Sequence, residues 1–441
     1  MMRKLLYAIS FSIAAALAGC GGDGGNDASS ASSIASPPPT SSPTFEVAAY
    51  VAPQSDLLEP TGFSGLAPSF PQFKEQTIRQ VVRLSAGGKS LKIKFSNLFG
   101  TEPLTLDKIH VASNLGNGNI GPTTDKALTF SGSPSVTIAP GAEVYSDVLA
   151  YPTSAFTDLS VSIYMKSATI RTARRFSSTT TYLSAGDVTS SAGMPSASKL
   201  SSIYYMSQIV VLRESKMNVV VAMGDSITEG AGSSTTDAYN TWPDQLARIA
   251  NSRFEVSVVN TGLGGNRWVK DGFGQCGLCR LDRDVLSVPG VTHVIMSLGV
   301  NDIGLGYYYS NTFKDPSQLV SAKQITDNIQ AAVDKAKAKG LKVYLGTITP
   351  FKGTYYYTSG QPSDIPYGAT TPYNGEQVRQ DVNAFIRANK TIDGYIDFDK
   401  TMQDPSDPQK ALTTWTSDGT LHPNDVGYAH MAQTVDVETL R

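Results

Sequence analysis

Asn218-Val219-Val220-Val221-Ala222-Met223-Gly224-Asp225-Ser226-Ile227-Thr228-Glu229-Gly230 opens as a continuous apolar run and stops abruptly in small polar residues. A Val-rich run without polar alternation suits a strand covered on both faces, as in a parallel sheet. Gly224-Asp225-Ser226 then falls at the strand's carboxyl end, the edge where ligands bind in open α/β sheets. Taken alone, a Gly-Asp-Ser in this position is as well explained by a turn.

Downstream, further apolar runs at 255–259, 292–298, 341–348 and 394–398 alternate with helix-length stretches. Leu319, Ala322, Ile325, Ile329 and Val333 recur at helical spacing, and Gly340 suits the left-handed residue after a helix end. Residues 216–441 therefore read as an α/β domain with a parallel sheet. Upstream, 46–215 carries short alternating runs such as Leu91-Lys92-Ile93-Lys94-Phe95 and Leu159-Ser160-Val161-Ser162-Ile163, separated by turn clusters at 86–89 and 139–141. That rhythm predicts an antiparallel β-sandwich, jelly-roll-like in architecture. No fixed-period repeat is visible, which argues against a solenoid or propeller.

Residues 21–45, GGDGGNDASSASSIASPPPTSSPT and the following Phe, carry almost no apolar side chains and read as a disordered linker. Before them, Met1-Met2-Arg3-Lys4 and the apolar LLYAISFSIAAALAG form an export leader, too short for a spanning helix. Leu17-Ala18-Gly19-Cys20 resembles a bacterial lipobox, so residues 1–20 are expected to be a lipoprotein signal peptide with Cys20 as the lipid-bearing residue; plain secretion is the alternative. Cys276 and Cys279, the other two of three cysteines, are expected to pair in an oxidising compartment. Zinc would need two further ligands, and none is evident near their loop. With 36 Lys and Arg against 38 Asp and Glu, no basic run points to nucleic acid. Membrane contact is expected only through the lipid anchor.

A serine hydroxyl at its free pKa is a poor nucleophile and needs an imidazole within reach. Of the four histidines, His110 lies in a β-region strand, His293 at the amino end of a parallel strand, and His430 on the last helix. His422 remains, in the polar loop Ser417-Asp418-Gly419-Thr420-Leu421-His422-Pro423-Asn424, with Pro423 a candidate for the first helical turn. Acyl transfer also needs donors aimed at the developing oxyanion. Asn260-Thr261-Gly262-Leu263-Gly264-Gly265 after the second strand and Gly299-Val300-Asn301-Asp302 after the third are placed to supply them.

Gly224-Asp225-Ser226, the glycines after Asn260, Gly299-Val300-Asn301-Asp302 and Asp418 with His422 resemble, in order, the four sequence blocks of the SGNH/GDSL hydrolases. The upstream segments around 76–80, 85–88 and 95–100 resemble the β-domain of a secreted bacterial subgroup. The resemblance implies a flavodoxin-like three-layer domain and a serine carboxylic ester hydrolase working through an acyl-enzyme, with no metal or cofactor. It implies Ser226 as nucleophile, His422 as base and Asp418 as orienting acid. The Ser226 N–H, the Gly265 N–H and the Asn301 amide would form the oxyanion hole, with Gly264 second choice to Gly265. Asp225, Gly264, Gly299 and Asp302 would support these loops.

One departure stands out. The family places its acid three residues before the histidine, whereas Asp418 stands four before His422. Either the loop bulges by one residue or the backbone holds His422 and the acid contributes little. Asp425 is an alternative acid and a candidate helix cap. Tyr307 to Tyr309 and Tyr355 to Tyr357, read as loop clusters, could wall a cleft or pack on themselves. Arg267 could salt-bridge within its loop or touch a substrate carboxylate, and the structural role is the favoured one. Short acyl or acetyl esters, including those on polysaccharide, are the expected substrates. The alternatives are a lipolytic or aryl esterase and an inactive carbohydrate-binding lipoprotein.

Overall fold

Val219 to Met223 are completely buried, as their unbroken apolar pattern requires, because the strand Asn218–Gly224 has a neighbour on each side and is covered on both faces. The computed structural model describes residues 44–58, 72–233 and 235–441. The readings on the leader, on Cys20 and on nearly all of the linker fall outside these residues, while Phe45 already begins the first strand.

Five parallel strands form the C-terminal sheet in the spatial order Val256–Gly262, Asn218–Gly224, Val291–Ser297, Lys342–Gly346, Gly394–Ile396. All five correspond to apolar runs read from the sequence. The helix Ala322–Ala338 buries Ile325, Ile329, Ala332, Val333 and Ala336 and opens on a Ser321/Gln324 capping box. It ends before Gly340, which adopts φ +80°. Leu319 falls outside it, held in extended geometry after the short 3-10 turn Pro316–Gln318. Tyr307 to Tyr309 are not in a loop: they lie on the helix Val300–Phe313, which the run of three tyrosines conceals. Among the described residues, no helix is long and apolar enough to cross a membrane.

The N-terminal region is β-rich and antiparallel. One sheet has the order Phe45–Val51, Met206–Arg213, Ser90–Ser96, Glu143–Tyr145. A larger one centres on Phe73–Arg83, Asp158–Ala168 and Lys108–Gly116. Alternation drives the first, where Leu91, Ile93 and Phe95 are fully buried and the lysines between them stay partly exposed. In the second, Leu159, Val161 and Ile163 are fully buried and so are Ser160 and Ser162 between them, the strand being covered on both faces.

The described residues form one compact unit. A single cluster of buried side chains runs from Val47 through the parallel sheet to Leu440. Ser257 Oγ donates to the Ala48 carbonyl at 2.6 Å and the Ala48 N–H to the Pro289 carbonyl at 3.0 Å. The β-rich region is therefore packed onto the edge of the parallel sheet and shares its core.

Candidate active site

Ser226 stands where the first parallel strand turns into the short helix Ser226–Glu229. Asp225 caps that helix, its Oδ1 accepting the Ile227 N–H at 3.0 Å. Ser226 Oγ lies 3.0 Å from His422 Nε2, and His422 Nδ1 lies 2.8 Å from Asp418 Oδ2. The loop carrying the last two is closed by the Ser417 N–H, which donates to the His422 carbonyl at 2.8 Å. Asp418 Oδ1 accepts the N–H groups of Thr420 at 2.9 Å and Leu421 at 2.8 Å. Burial pushes the Asp418 carboxyl up, but the His422 ring and these N–H groups outweigh it and hold it well below the usual carboxylate range. Gly419, at φ +75°, turns the backbone between acid and histidine. Pro423 is not in the helix: it pairs with Thr416 ahead of the Asn424 cap of Asp425–Thr434.

Gly264, Gly265 and Asn301 line the same cleft as Ser226 and His422. Gly265 has φ +72°, and a Cβ there would stand 2.2 Å from the Phe273 ring, so both conformation and space demand glycine. Gly299, at φ +135°, makes the sharp entry into the helix that carries Asn301. Asn301 Nδ2 donates to the Asn266 carbonyl at 3.1 Å, which joins the second and third loops. Asp302 strengthens that junction by accepting the N–H groups of Trp268 at 2.7 Å and Val269 at 3.0 Å. Burial pushes the Asp302 carboxyl up to about 6 and that of Asp225 up to about 7.

Several residues of the site went unread in the sequence. Arg280 is fully buried and donates to the carbonyls of Gly224 at 2.9 Å and Thr261 at 2.8 Å, and to Asn266 Oδ1 at 2.9 Å. It ties together the carboxyl ends of two strands. Glu229 is buried at the cleft floor with its Oε1 3.8 Å from Arg174 Nε, and burial pushes its carboxyl up to about 8. Phe176, from the β-rich region, and Phe273 also line the cleft, which has a volume of about 580 Å3. A buried arginine in an LCR stretch and aromatics far away in the chain have no local pattern to announce them.

The remaining candidates are structural. His110 bonds Asp125 at 2.8 Å, His293 is buried against Tyr344, and His430 stacks on Trp415. Desolvation pushes the His293 imidazole down to about 4. Asp425 neither caps the last helix nor bonds His422: Asn424 is the cap, and Asp425 accepts from Ser233, Thr235 and Asn240. Arg267 is buried and donates to Gln318. Cys276 and Cys279 form a disulfide, but not in a loop: Cys276 caps the short helix Gly277–Leu281. Tyr355 and Tyr356 line the cleft.

Residues 222–430 match the sequence model of the GDSL-like lipase/acylhydrolase family. No curated protein sequence matches the chain. Among solved structures it is similar to the lipase/acylhydrolase from Enterococcus faecalis, with 21% identity over 51% of this chain and 95% of that one, TM-score 0.36. It is similar also to a carbohydrate acetylesterase from Sinorhizobium meliloti, with 15% identity over 51% and 100% of the two chains, TM-score 0.35. The M. smegmatis aryl esterase gives 16% identity over 51% and 100%, TM-score 0.35. Over residues 222–430 the chain therefore carries a domain of the GDSL-like lipase/acylhydrolase family, a family of esterase-type hydrolases.

Proposed function

We propose that this protein is an exported serine ester hydrolase acting on short-chain acyl or acetyl esters, including those carried by polysaccharide. One observation carries the reading: Ser226 Oγ, both ring nitrogens of His422 and Asp418 Oδ2 form a continuous hydrogen-bonded line, at 3.0 and 2.8 Å. Ser226 Oγ attacks the ester carbonyl while its proton passes to His422 Nε2. Asp418 holds the other ring nitrogen and stabilises the imidazolium. His422 then delivers the proton to the departing alcohol, and water repeats the sequence on the acyl-enzyme. The Ser226 and Gly265 N–H groups and the second N–H of the Asn301 amide receive the oxyanion, each such donor being worth about 3 kcal/mol. This line of polar groups also argues against an inactive glycan-binding role.

Export rests on the charged and then apolar leader, and anchoring on Leu17-Ala18-Gly19-Cys20. Tyr355, 64% exposed at the cleft, offers a ring on which a sugar can stack.

The test is a panel of nitrophenyl esters of rising acyl length, phenyl acetate and acetylated polysaccharides, assayed with wild type and Ser226→Ala. Hydrolysis of acetyl and other short esters by wild type alone supports the reading. Equal rates in the two proteins would remove it. Fractionation of cells expressing Cys20→Ser tests the anchor, with release from the membrane fraction expected.

A further inference from the structure

The β-rich region reaches into the cleft at one point. Between the strands Thr172–Arg174 and Thr181–Ala185, the connecting segment passes over the nucleophile's helix, and both of its ends are bonded to the α/β part. Arg174 Nη2 donates to the Glu229 carbonyl at 3.2 Å. At the far end, the Thr180 N–H and hydroxyl both donate to the Asp237 carboxylate, at 2.6 and 2.7 Å. The Asp237 N–H returns a bond to the Ser178 carbonyl at 2.9 Å. Phe176 stands between these anchors, 37% exposed, with its ring on the cleft.

Its position relative to the reacting carbonyl follows from the glycines. A Cβ on Gly264 would lie 3.2 Å from the Phe176 ring, and one on Gly265 would lie 2.2 Å from the Phe273 ring. The two aromatic rings therefore flank the glycine pair assigned to the oxyanion. The leaving alcohol must sit within reach of His422 Nε2, and Thr354, Tyr355 and Thr420 line the same cleft. Phe176 thus stands at the Gly264 edge of the cleft, beside the groups assigned to the oxyanion.

We propose that Phe176, supplied by the β-rich region, is a specificity-determining residue that closes the acyl side of the cleft and limits the acyl chain to a few carbons. The proposal rests on the esterase reading above. It makes the β-rich region part of the catalytic unit rather than a separate targeting module. The ring is held in place before substrate arrives, because its segment is bonded to the α/β part at both ends. A fixed aromatic wall excludes a longer chain by sterics, whereas a mobile one would yield to it.

The test measures kcat/KM for nitrophenyl esters from acetyl to octanoyl, and separately for acetates of varied alcohols, in wild type, Phe176→Ala and Phe176→Trp. Phe176→Ala is expected to raise the octanoyl-to-acetyl ratio by about tenfold or more, the scale on which a pocket discriminates methylenes. Phe176→Trp is expected to lower the butyryl-to-acetyl ratio, and the ranking of alcohols should hold in both variants. Damage to the fold alone would scale all esters together. An unchanged acyl profile in both variants, or a change confined to the alcohol series, overturns the proposal while leaving the esterase reading intact. Absence of any hydrolysis by wild type removes both.

Discussion

Asp418 Oδ2 lies 2.8 Å from His422 Nδ1 although the two residues are four positions apart, and Gly419, at φ +75°, takes up the additional residue. Of the two ways to accommodate the longer spacing, the loop bulges. The bulge is held from inside, because the Asp418 carboxylate also accepts the Thr420 and Leu421 N–H groups. Asp418→Asn keeps an acceptor for those N–H groups but presents the wrong partner to the imidazole. A fall in kcat of about 10³ to 10⁴ is expected, as for loss of the orienting acid in a working triad. A loss below about tenfold on acetyl esters would relegate Asp418 to shaping the loop.

Gly419→Ala separates conformation from space. A Cβ at that position would meet only Thr413 Cγ2, at 3.9 Å, so there is room for it. The left-handed backbone remains, and it costs a non-glycine residue about 1–2 kcal/mol. Denaturant unfolding is expected to report that loss, with kcat falling as well if the loop relaxes and draws Asp418 from the ring. Stability equal to wild type would show that the bulge is not strained.

Asn301→Ala removes a donor from the site and also frees the Asn266 carbonyl that Nδ2 bonds at 3.1 Å. Loss of one oxyanion donor lowers kcat by about 10²- to 10³-fold. KM for acetyl esters should move far less, because the donor acts on charge that develops only in the transition state. A change in KM with kcat retained would place Asn301 in ground-state binding instead.

Arg280→Ala strips the donor from the Gly224 and Thr261 carbonyls and from Asn266 Oδ1 at once, while Arg283 still holds both oxygens of Asp284, at 2.7 and 2.9 Å. Leaving a buried acceptor without its donor costs about 1–3 kcal/mol, and a loss of at least that size is expected. Chemical denaturation is the measurement, and a loss under about 1 kcal/mol would mean that the strand ends hold without it.

Glu229 links stability to pH. Its carboxyl titrates at about 8 in the folded protein against 4.5 ordinarily, because burial disfavours the anion more than Arg174 favours it. Between those values the folded protein keeps a proton that the unfolded chain releases, so this group lowers stability as pH rises from about 4.5 to about 8. Glu229→Gln, which mimics the protonated form, lacks that dependence. Its stability relative to wild type is expected to climb across this window and level off above it, in denaturant melts at several pH values. Parallel pH curves for the two proteins would contradict the burial argument.

Ser226 and Asn301 were legible because each belongs to a short motif at the end of a strand, and His422 because it sits in a polar loop ahead of the last helix. Val219 to Met223 announce a doubly covered strand by their unbroken apolar character, and the polar residues behind such strands are confined to one edge of the sheet. Ser226, Asn301 and His422 could thus be named before any geometry. Tyr307 to Tyr309 were misplaced because three adjacent tyrosines obscure the helical period of Val300–Phe313. The helix beginning at Gly277 was hidden for a related reason, being only five residues long.

From its own order of residues, then, the chain determined the parallel strands, the antiparallel region before them and the polar groups at the strand ends, since these depend on local periodicity and turn chemistry. Tertiary structure alone decided that Asp418 reaches His422 despite its spacing, that Arg280 gathers the carbonyls of two strands, and that Phe176 crosses from the β-rich region to wall the cleft. Each of these depends on where distant backbone segments come to rest. Hydrogen-bond geometry and steric fit are set by that packing, and no run of neighbouring residues encodes them.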